Sequence, residues 1–268
     1  MLDRFLSTLS VVSRIPIKPR FKFDSSRMDL YLPITGIFPA LIALLLFAIG
    51  SLLVNIPDVL IVILILIAQY LGFNLFHLDG LMDSADAFLG CADKEKRLLI
   101  LKDSRIGVYG FFAGASVLGL KAALLWSLFP FARDYPALVF AYPLWGRLSA
   151  ALIPCMAKPL NSGSLGALAK DSRLHRCVFG IALALLLWVV PVQGLFMALL
   201  FPTTSIKVLR VTIAAILCPC AISPLAAFYY ARLYRNSLGG YTGDALGAAI
   251  ETTEVLYELA VLCISLVI

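Results

Sequence analysis

Charge is what this sequence has least of. Only 14% of its 268 residues are Asp, Glu, Lys or Arg, while 61% are hydrophobic. Soluble chains run near ~25% charged and ~45–50% apolar. An ordinary soluble domain is therefore excluded, and the mean hydropathy of +0.95 agrees. The short alternating segments of an outer-membrane barrel are missing too. The six cysteines (Cys91, Cys155, Cys177, Cys218, Cys220 and Cys263) mostly fall in apolar runs and form neither a disulfide framework nor a zinc spacing. Cys218-Pro-Cys220 reads as packing. There is no internal repeat, low-complexity linker or soluble domain. Residues 1–29 lack a continuous apolar core and a small-residue cleavage site, so no signal peptide is expected.

What is present is a series of apolar runs near or above ~20 residues, the mark of an all-α, polytopic helical integral membrane protein. Residues 1–268 read as a single membrane-embedded domain of about seven spans. These cover about Tyr31–Val54, Val59–Phe76, Val108–Phe129, Ala137–Ala157, Val178–Leu200, Val208–Tyr230, and Asp244 to the C-terminus. The second is expected to continue as one helix through Phe88. Asn55-Ile56-Pro57-Asp58 and Pro202-Thr203-Thr204 read as turns, Lys94–Leu101 as a short surface helix, Pro159–Ser172 as a polar loop, and RNSLGGYTG before the last span as another loop. In the basic segment 1–29, Leu2, Phe5, Leu6, Leu9 and Val12 form one face of a short amphipathic helix lying on the membrane, ended by Pro16 and Pro19.

With the N-terminus on side one, loops on that side carry seventeen Lys and Arg, and those on side two carry Arg133, Lys207 and Arg210. The positive-inside rule makes side one, and the N-terminus, cytoplasmic. A net charge of +6 and a pI near 9 would suit a nucleic-acid binder. Here the basic residues sit in loops between spans, so orientation and anionic phosphate ligands explain them and no nucleic-acid partner is expected.

The chemistry concentrates between Asn74 and Gly110. Asp79, Asp83 and Asp86 fall within eight residues. At ~100° per helical residue, Asp83 lies ~40° and Asp86 ~20° from Asp79, so the three share a face. Oxygen-only ligands of this kind suit Mg²⁺ or Mn²⁺ better than zinc. Lys102, Asp103, Ser104 and Arg105 follow, then Gly107 and Gly110 at the start of the next apolar run, which reads as a phosphate cradle. Carboxylates for a metal beside such a cradle indicate phosphoryl transfer.

This stretch resembles the signature of the cobalamin-5′-phosphate synthase (adenosylcobinamide-GDP ribazoletransferase) family. The resemblance rests on HLDGLMDSADAF (His77–Phe88) and LKDSRIGVYG (Leu101–Gly110). Further matches in order are RIP (Arg14–Pro16), PLWGR (Pro143–Arg147) and LGGYTGDALGA with its trailing ETTE (Leu238–Glu254). Met82, Ser84 and Tyr109 depart from the pattern without removing a charge. The Asp spacing is also similar to the CDP-alcohol phosphotransferase pattern, but its Ala-Arg pair and late Asp pair are missing. The resemblance implies that adenosylcobinamide-GDP and α-ribazole, or its 5′-phosphate, give adenosylcobalamin, or its 5′-phosphate, plus GMP. It implies Mg²⁺ (or Mn²⁺) on Asp79, Asp83 and Asp86, and phosphate contacts from Lys102, Ser104 and Arg105. The site would face the cytoplasm from the inner membrane. Whether the chain forms a homo-oligomer is left open.

Other candidates are spread along the chain. Arg147 lies inside the fourth span, where an arginine is costly unless paired or lining a cavity. A structural ion pair would explain it, but the PLWGR match favours a substrate-phosphate contact; Glu251 and Glu254, also within the resemblance, are placed in the cavity, one of them countering Arg147 when no substrate is bound. Glu251, Glu254 and Glu258 share a stripe of the last helix, with Glu258 read as structural. Gly239 and Gly240 would let backbone approach a phosphate, and Asp244 would cap the helix that follows. Asp103 and Asp244 both remain candidates for the general base. Lys121, in the third span, reads equally well as a snorkelling side chain. His77 points ~160° away from Asp79, as a neighbour to the metal site and not a ligand, and His175 reads as surface. The competing class, a transporter, would keep its ionisable groups near mid-membrane.

Overall fold

The computed structural model describes residues 1–17, 21–52, 56–200 and 206–267. Among them the only β-type pairing is a single bridge between Pro159 and Tyr241; everything else that is regular is helical. Lys18, Pro19, Arg20, Asn55 and the Pro202-Thr203-Thr204 turn lie outside the described residues.

The helices follow the apolar runs, broken where proline and glycine fall. α1 (Leu2–Val12) precedes the first run, which splits into α2 (Met28–Thr35) and α3 (Ile37–Leu52). The break at Gly36 sits against α9 (Tyr142–Met156), where a Cβ on Gly36 would lie 2.7 Å from the Leu144 Cα. α4 (Asp58–Gln69) continues through a π turn (Tyr70–Asn74) into α5 (Leu75–Leu89) as one rod, as the sequence indicated. Next come α6 (Lys94–Ile100), α7 (Val108–Ala132) and the one-turn α8 (Pro136–Val139). α10 (Leu174–Leu200), α11 (Ile206–Leu238) and α12 (Gly243–Val267) complete the chain. Among the described residues, six helical segments are long and apolar enough to cross a membrane, α12 not being among them. α12 is long enough, at 25 residues, but carries Asp244, Glu251, Glu254 and Glu258.

Three expectations change. α11 runs on to Leu238, so the RNSLGGYTG loop shrinks to the few residues before Gly243. Asp244 therefore sits inside the first turn of α12 instead of capping it. The buried side of α1 includes Ser7 and Thr8 as well as Leu9 and Val12, while Leu2 is exposed. Those hydroxyls return hydrogen bonds to the carbonyls of Asp3 and Arg4, and Ser7 Oγ accepts from Asp24 N–H at 2.9 Å. α1 thus packs on protein, with Phe5 edge-on to Tyr31.

The middle of the bundle is α9, buried at every position from Tyr142 to Pro154. α2, α10, α11 and α12 pack around it, and α12 also contacts α5 and α7. Apolar side chains such as Leu41, Leu45, Leu64, Phe112 and Trp126 remain exposed on the outside, as expected of surfaces that meet lipid tails. α12 is wedged in the protein interior, which is how a helix with four carboxylates can stand in an apolar bundle.

Candidate active site

α5 and α12 build the site by touching backbone to backbone. A Cβ on Gly80 would lie 2.8 Å from the Asp244 Cα, and one on Gly247 2.7 Å from the His77 carbonyl oxygen. Only glycine admits so close an approach. It places Asp244 beside the helical turn that carries Asp79 and Asp83, and Asp79, Asp244 and Asp86 all lie within electrostatic reach of Asp83. Asp79 is exposed and Asp83 half-buried. Neither has a hydrogen-bond or ion-pair partner among the described residues.

Asp86 differs. Its Oδ2 accepts from Gly107 N–H and its Oδ1 from Gly110 N–H, both at 2.8 Å. A carboxylate at a helix N-terminus satisfies orphan amides and favours the positive end of the dipole. A Cβ at Gly110 would fall 2.3 Å from Asp86 Oδ2. The glycines expected to cradle a phosphate here receive the Asp86 carboxylate, which pins α7 to α5. Among the described residues, no group of three or more His, Cys, Asp or Glu side chains is arranged to hold a metal ion. The donor chemistry of Asp79, Asp83 and Asp244, all oxygen and all uncompensated, nevertheless suits a hard divalent cation.

Beside this face opens a cavity of about 420 Å³ whose lining includes Lys102, Thr242, Gly243 and Asp244. The two motif regions, far apart in sequence, thus meet. Asp244 Oδ2 accepts from the Thr242 hydroxyl at 2.9 Å. Asp103 is elsewhere engaged: Arg105 grips both its oxygens, the closest contact being 2.6 Å. That guanidinium holds the Asp103 carboxyl below its ordinary range, making it a weak base. Arg105 and Ser104 are exposed and do not line the cavity. Gly239 adopts a left-handed φ of 98° to leave α11. Gly240 packs on the Lys158–Leu160 backbone, where a Cβ would lie 2.8 Å from Lys158 O. Both glycines serve the turn in this structure.

Two turns along α12 the charges are closed off. Lys121 Nζ donates to Glu251 Oε2 at 2.7 Å and Glu254 Oε2 at 2.6 Å, and Arg147 Nη1 meets Glu254 Oε1 at 3.4 Å. Asn74 donates to both glutamates and accepts from Arg147 Nη2 at 3.2 Å. Tyr70 donates to Glu251 Oε2 at 2.6 Å. All of them are buried. Two cations meet two carboxylates, and the Glu254 counter-charge expected for Arg147 is there. Arg147, Glu251 and Glu254 do not reach the cavity in this conformation. Glu258, one turn further, is equally buried, and neither of its oxygens is hydrogen-bonded among the described residues.

Sequence reasoning left three features without a settled role: Lys121, the π turn and the loop after α9. Lys121 is no snorkelling residue: it is 1% exposed and joins two carboxylates. Tyr70 and Asn74 bracket the π turn, which aims both inward; such bulges recur at functional sites. The third is the loop after α9, which walls the cavity. Leu160 N–H donates to Tyr241 O and Tyr241 N–H to Lys158 O; the Tyr241 hydroxyl donates to Gly166 O at 3.1 Å.

Fold and site define a class first: a helical membrane protein with an uncompensated carboxylate face, one member of which, Asp244, shares a cavity with a lysine. The particular family follows. The chain belongs to the cobalamin-5-phosphate synthase family, whose model matches residues 4–262. It is similar to the adenosylcobinamide-GDP ribazoletransferase of Vibrio cholerae, 33% identical over 270 residues covering 97% of this chain and 94% of that one. The enzyme of Fusobacterium nucleatum is 32% identical over 94% of both chains. That of Thermosipho melanesiensis is 29% identical over 96% of this chain and 97% of its own. No solved structure matches.

Proposed function

We propose that the Asp79–Asp83–Asp244 face and the adjoining cavity carry the reaction of this family. Adenosylcobinamide-GDP and α-ribazole, or its 5′-phosphate, give adenosylcobalamin, or its 5′-phosphate, and GMP. One observation carries the placement: Asp244 abuts Gly80 of the acidic helix and also lines the cavity with Lys102.

A ribose hydroxyl oxygen attacks the cobinamide-side phosphorus of the diphosphate. The bond from that phosphorus to the bridging oxygen breaks, and the electron pair leaves on the GMP phosphate. Asp244 takes the hydroxyl proton; its place at the cavity and the engagement of Asp103 by Arg105 support this choice. Lys102 holds phosphate oxygens by charge-assisted hydrogen bonds. Asp79 and Asp83 would hold Mg²⁺ or Mn²⁺, which when bound supplies neutralisation of the diphosphate and its leaving charge. Asp86 fixes the two helices that frame the face. The buried Lys121–Glu251–Glu254–Arg147 group sets the position of α12, and with it Asp244.

In the membrane, α12 is the seventh span, the N-terminus is cytoplasmic and the acidic end opens to the cytoplasm. The bias of Lys and Arg between alternate loops supports this orientation. The test of function is GMP release by the purified protein in lipid, given both substrates, with and without chelator. Turnover of both substrates to a corrinoid product without GMP would sink the reaction. A reporter fused after Ile268 that is active only in the cytoplasm would overturn the seven-span parity.

A further inference from the structure

We propose that the cavity beside Asp244 seats the acceptor, α-ribazole, and that the loop after α9 selects it. The proposal rests on the reaction given above and adds the address of one substrate. At about 420 Å³ the cavity is near the small end of the ~300–1,000 Å³ that ligand clefts span. It has room for one nucleoside and none for a corrin ring, so two occupants compete: α-ribazole or the guanosine of the donor.

In-line geometry decides between them. The attacking and leaving oxygens lie on opposite sides of the transferred phosphorus, so acceptor and GMP approach from opposite directions. Asp244 is the carboxylate that both borders the acidic face and lines the cavity. A molecule seated there offers its ribose hydroxyl to the group that takes the proton, which is the acceptor's position. The lining agrees. Leu98 and Leu101 come from α6 and the residue after it, facing Leu160 and Leu165 of the loop. Four leucines suit the apolar faces of dimethylbenzimidazole, a base with no exocyclic amino or carbonyl group to read. Asn161 and Ser164 supply the few polar groups needed for a ribose. Lys102, at the same cavity, would meet the 5′-phosphate of a phosphorylated acceptor.

The loop is held for this task. Its backbone bridges to Tyr241, and a Cβ on Gly166 would fall 2.9 Å from the Gly243 nitrogen. The wall that touches the nucleoside is thus locked to the turn that presents Asp244. Specificity between bases would be set by residues 160–165, outside every motif that carries the chemistry.

The test uses the purified full-length chain in lipid with two variants, Ser164→Trp to fill the cavity and Asn161→Ala to remove one polar contact. Binding of α-ribazole is measured first without the corrinoid substrate. KM for each substrate and inhibition by GMP follow. Ser164→Trp should weaken α-ribazole binding and raise its KM about tenfold or more. KM for adenosylcobinamide-GDP and the GMP inhibition constant should stay within about twofold of wild type. Asn161→Ala, on an exposed loop, should shift the same two quantities about threefold, and it decides the matter if Ser164→Trp fails to fold. A rise in the GMP constant with α-ribazole unaffected would hand the cavity to guanosine. No change in either would remove it from the substrate path. Should wild type bind α-ribazole at this cavity but release no GMP, the reaction is wrong and the seat stands.

Discussion

Two charged regions share α12, about two turns apart, and they are built in opposite ways. At the end of α5 and the start of α12, Asp79, Asp83 and Asp244 stand together with no cation bonded to any of them among the described residues. Deeper along α12, Glu251 and Glu254 are fully buried, and each touches Lys121 at 2.7 Å or closer. The open region keeps its charges near solvent and unsatisfied, a costly arrangement that makes sense only if a ligand compensates it. The closed region satisfies its charges internally and so has little left to offer a ligand. Spacing alone made both look like parts of one site. Satisfaction separates them: in the proposed reaction the first binds and reacts, while the second holds α12 where Asp244 can do so.

The comparison breaks most sharply in the closed region. Lys121→Met leaves Glu251 with no cation in contact, and Arg147→Ala leaves two buried carboxylates to share Lys121; each unbalances the buried charge and should cost about 3–5 kcal/mol of stability. Glu251→Gln added to the first, or Glu254→Gln to the second, should return much of that loss. Thermal unfolding in detergent reads it, and GMP release shows whether activity returns with the fold. Recovery of stability with activity still absent would move Arg147 back among the substrate contacts.

In the open region the order reverses. Asp83→Asn and Asp244→Asn should lower turnover by about a hundredfold or more while leaving the unfolding temperature unchanged or slightly raised, because each relieves repulsion. Asp83→Asn should also raise the Mg²⁺ concentration needed. Normal turnover of Asp83→Asn at low Mg²⁺ would remove the carboxylate face from the mechanism.

Gly80→Ala tests the joint between the regions. Its methyl would meet the Asp244 backbone at 2.8 Å, and overpacking of this kind costs about 1–3 kcal/mol. Activity should fall further than stability does, since the helices separate where the carboxylates face each other. Equal losses would make the contact purely structural.

Asp103→Asn should do least. The Asp103–Arg105 pair is screened by solvent and contributes little to stability, and GMP release should stay within about threefold of wild type. The Arg105 guanidinium keeps Asp103 ionised to a lower pH than a free aspartate. Its small stabilisation is therefore present above the ordinary aspartate range and fades as pH falls through the depressed value, so the pH-rate profile near neutrality should not move with Asp103→Asn. A hundredfold loss would make Asp103 the base and remove Asp244 from that role.

Much of this architecture could be read from composition and local pattern. Low charge and long apolar runs determined a helical membrane bundle, because a lipid core leaves the backbone few other ways to satisfy its hydrogen bonds. The i, i+4, i+7 spacing put Asp79, Asp83 and Asp86 on one face, since α5 is regular through them. Arg147 needed a counter-charge wherever it was buried, and a glutamate of the last helix was the one within reach. These conclusions depend on periodicity and on the cost of burying charge, both of which act locally.

Other features needed the third dimension. Asp86 was indistinguishable from Asp79 and Asp83 until α7 brought Gly107 and Gly110 against it. Nothing in YLGFN announces a π turn; its shape is set by neighbours, with the Gly72 carbonyl accepting from Arg14 N–H at 2.8 Å and Tyr70 and Asn74 drawn to the buried glutamates. Lys121 could have snorkelled, and whether a lysine reaches lipid or protein depends on which helix lies beside it. The proposed preference for Asp244 over Asp103 rests on a neighbour for each, Arg105 for one and Gly80 for the other. Helix periodicity reports which residues share a face, and only the packing of one helix on another decides what that face meets.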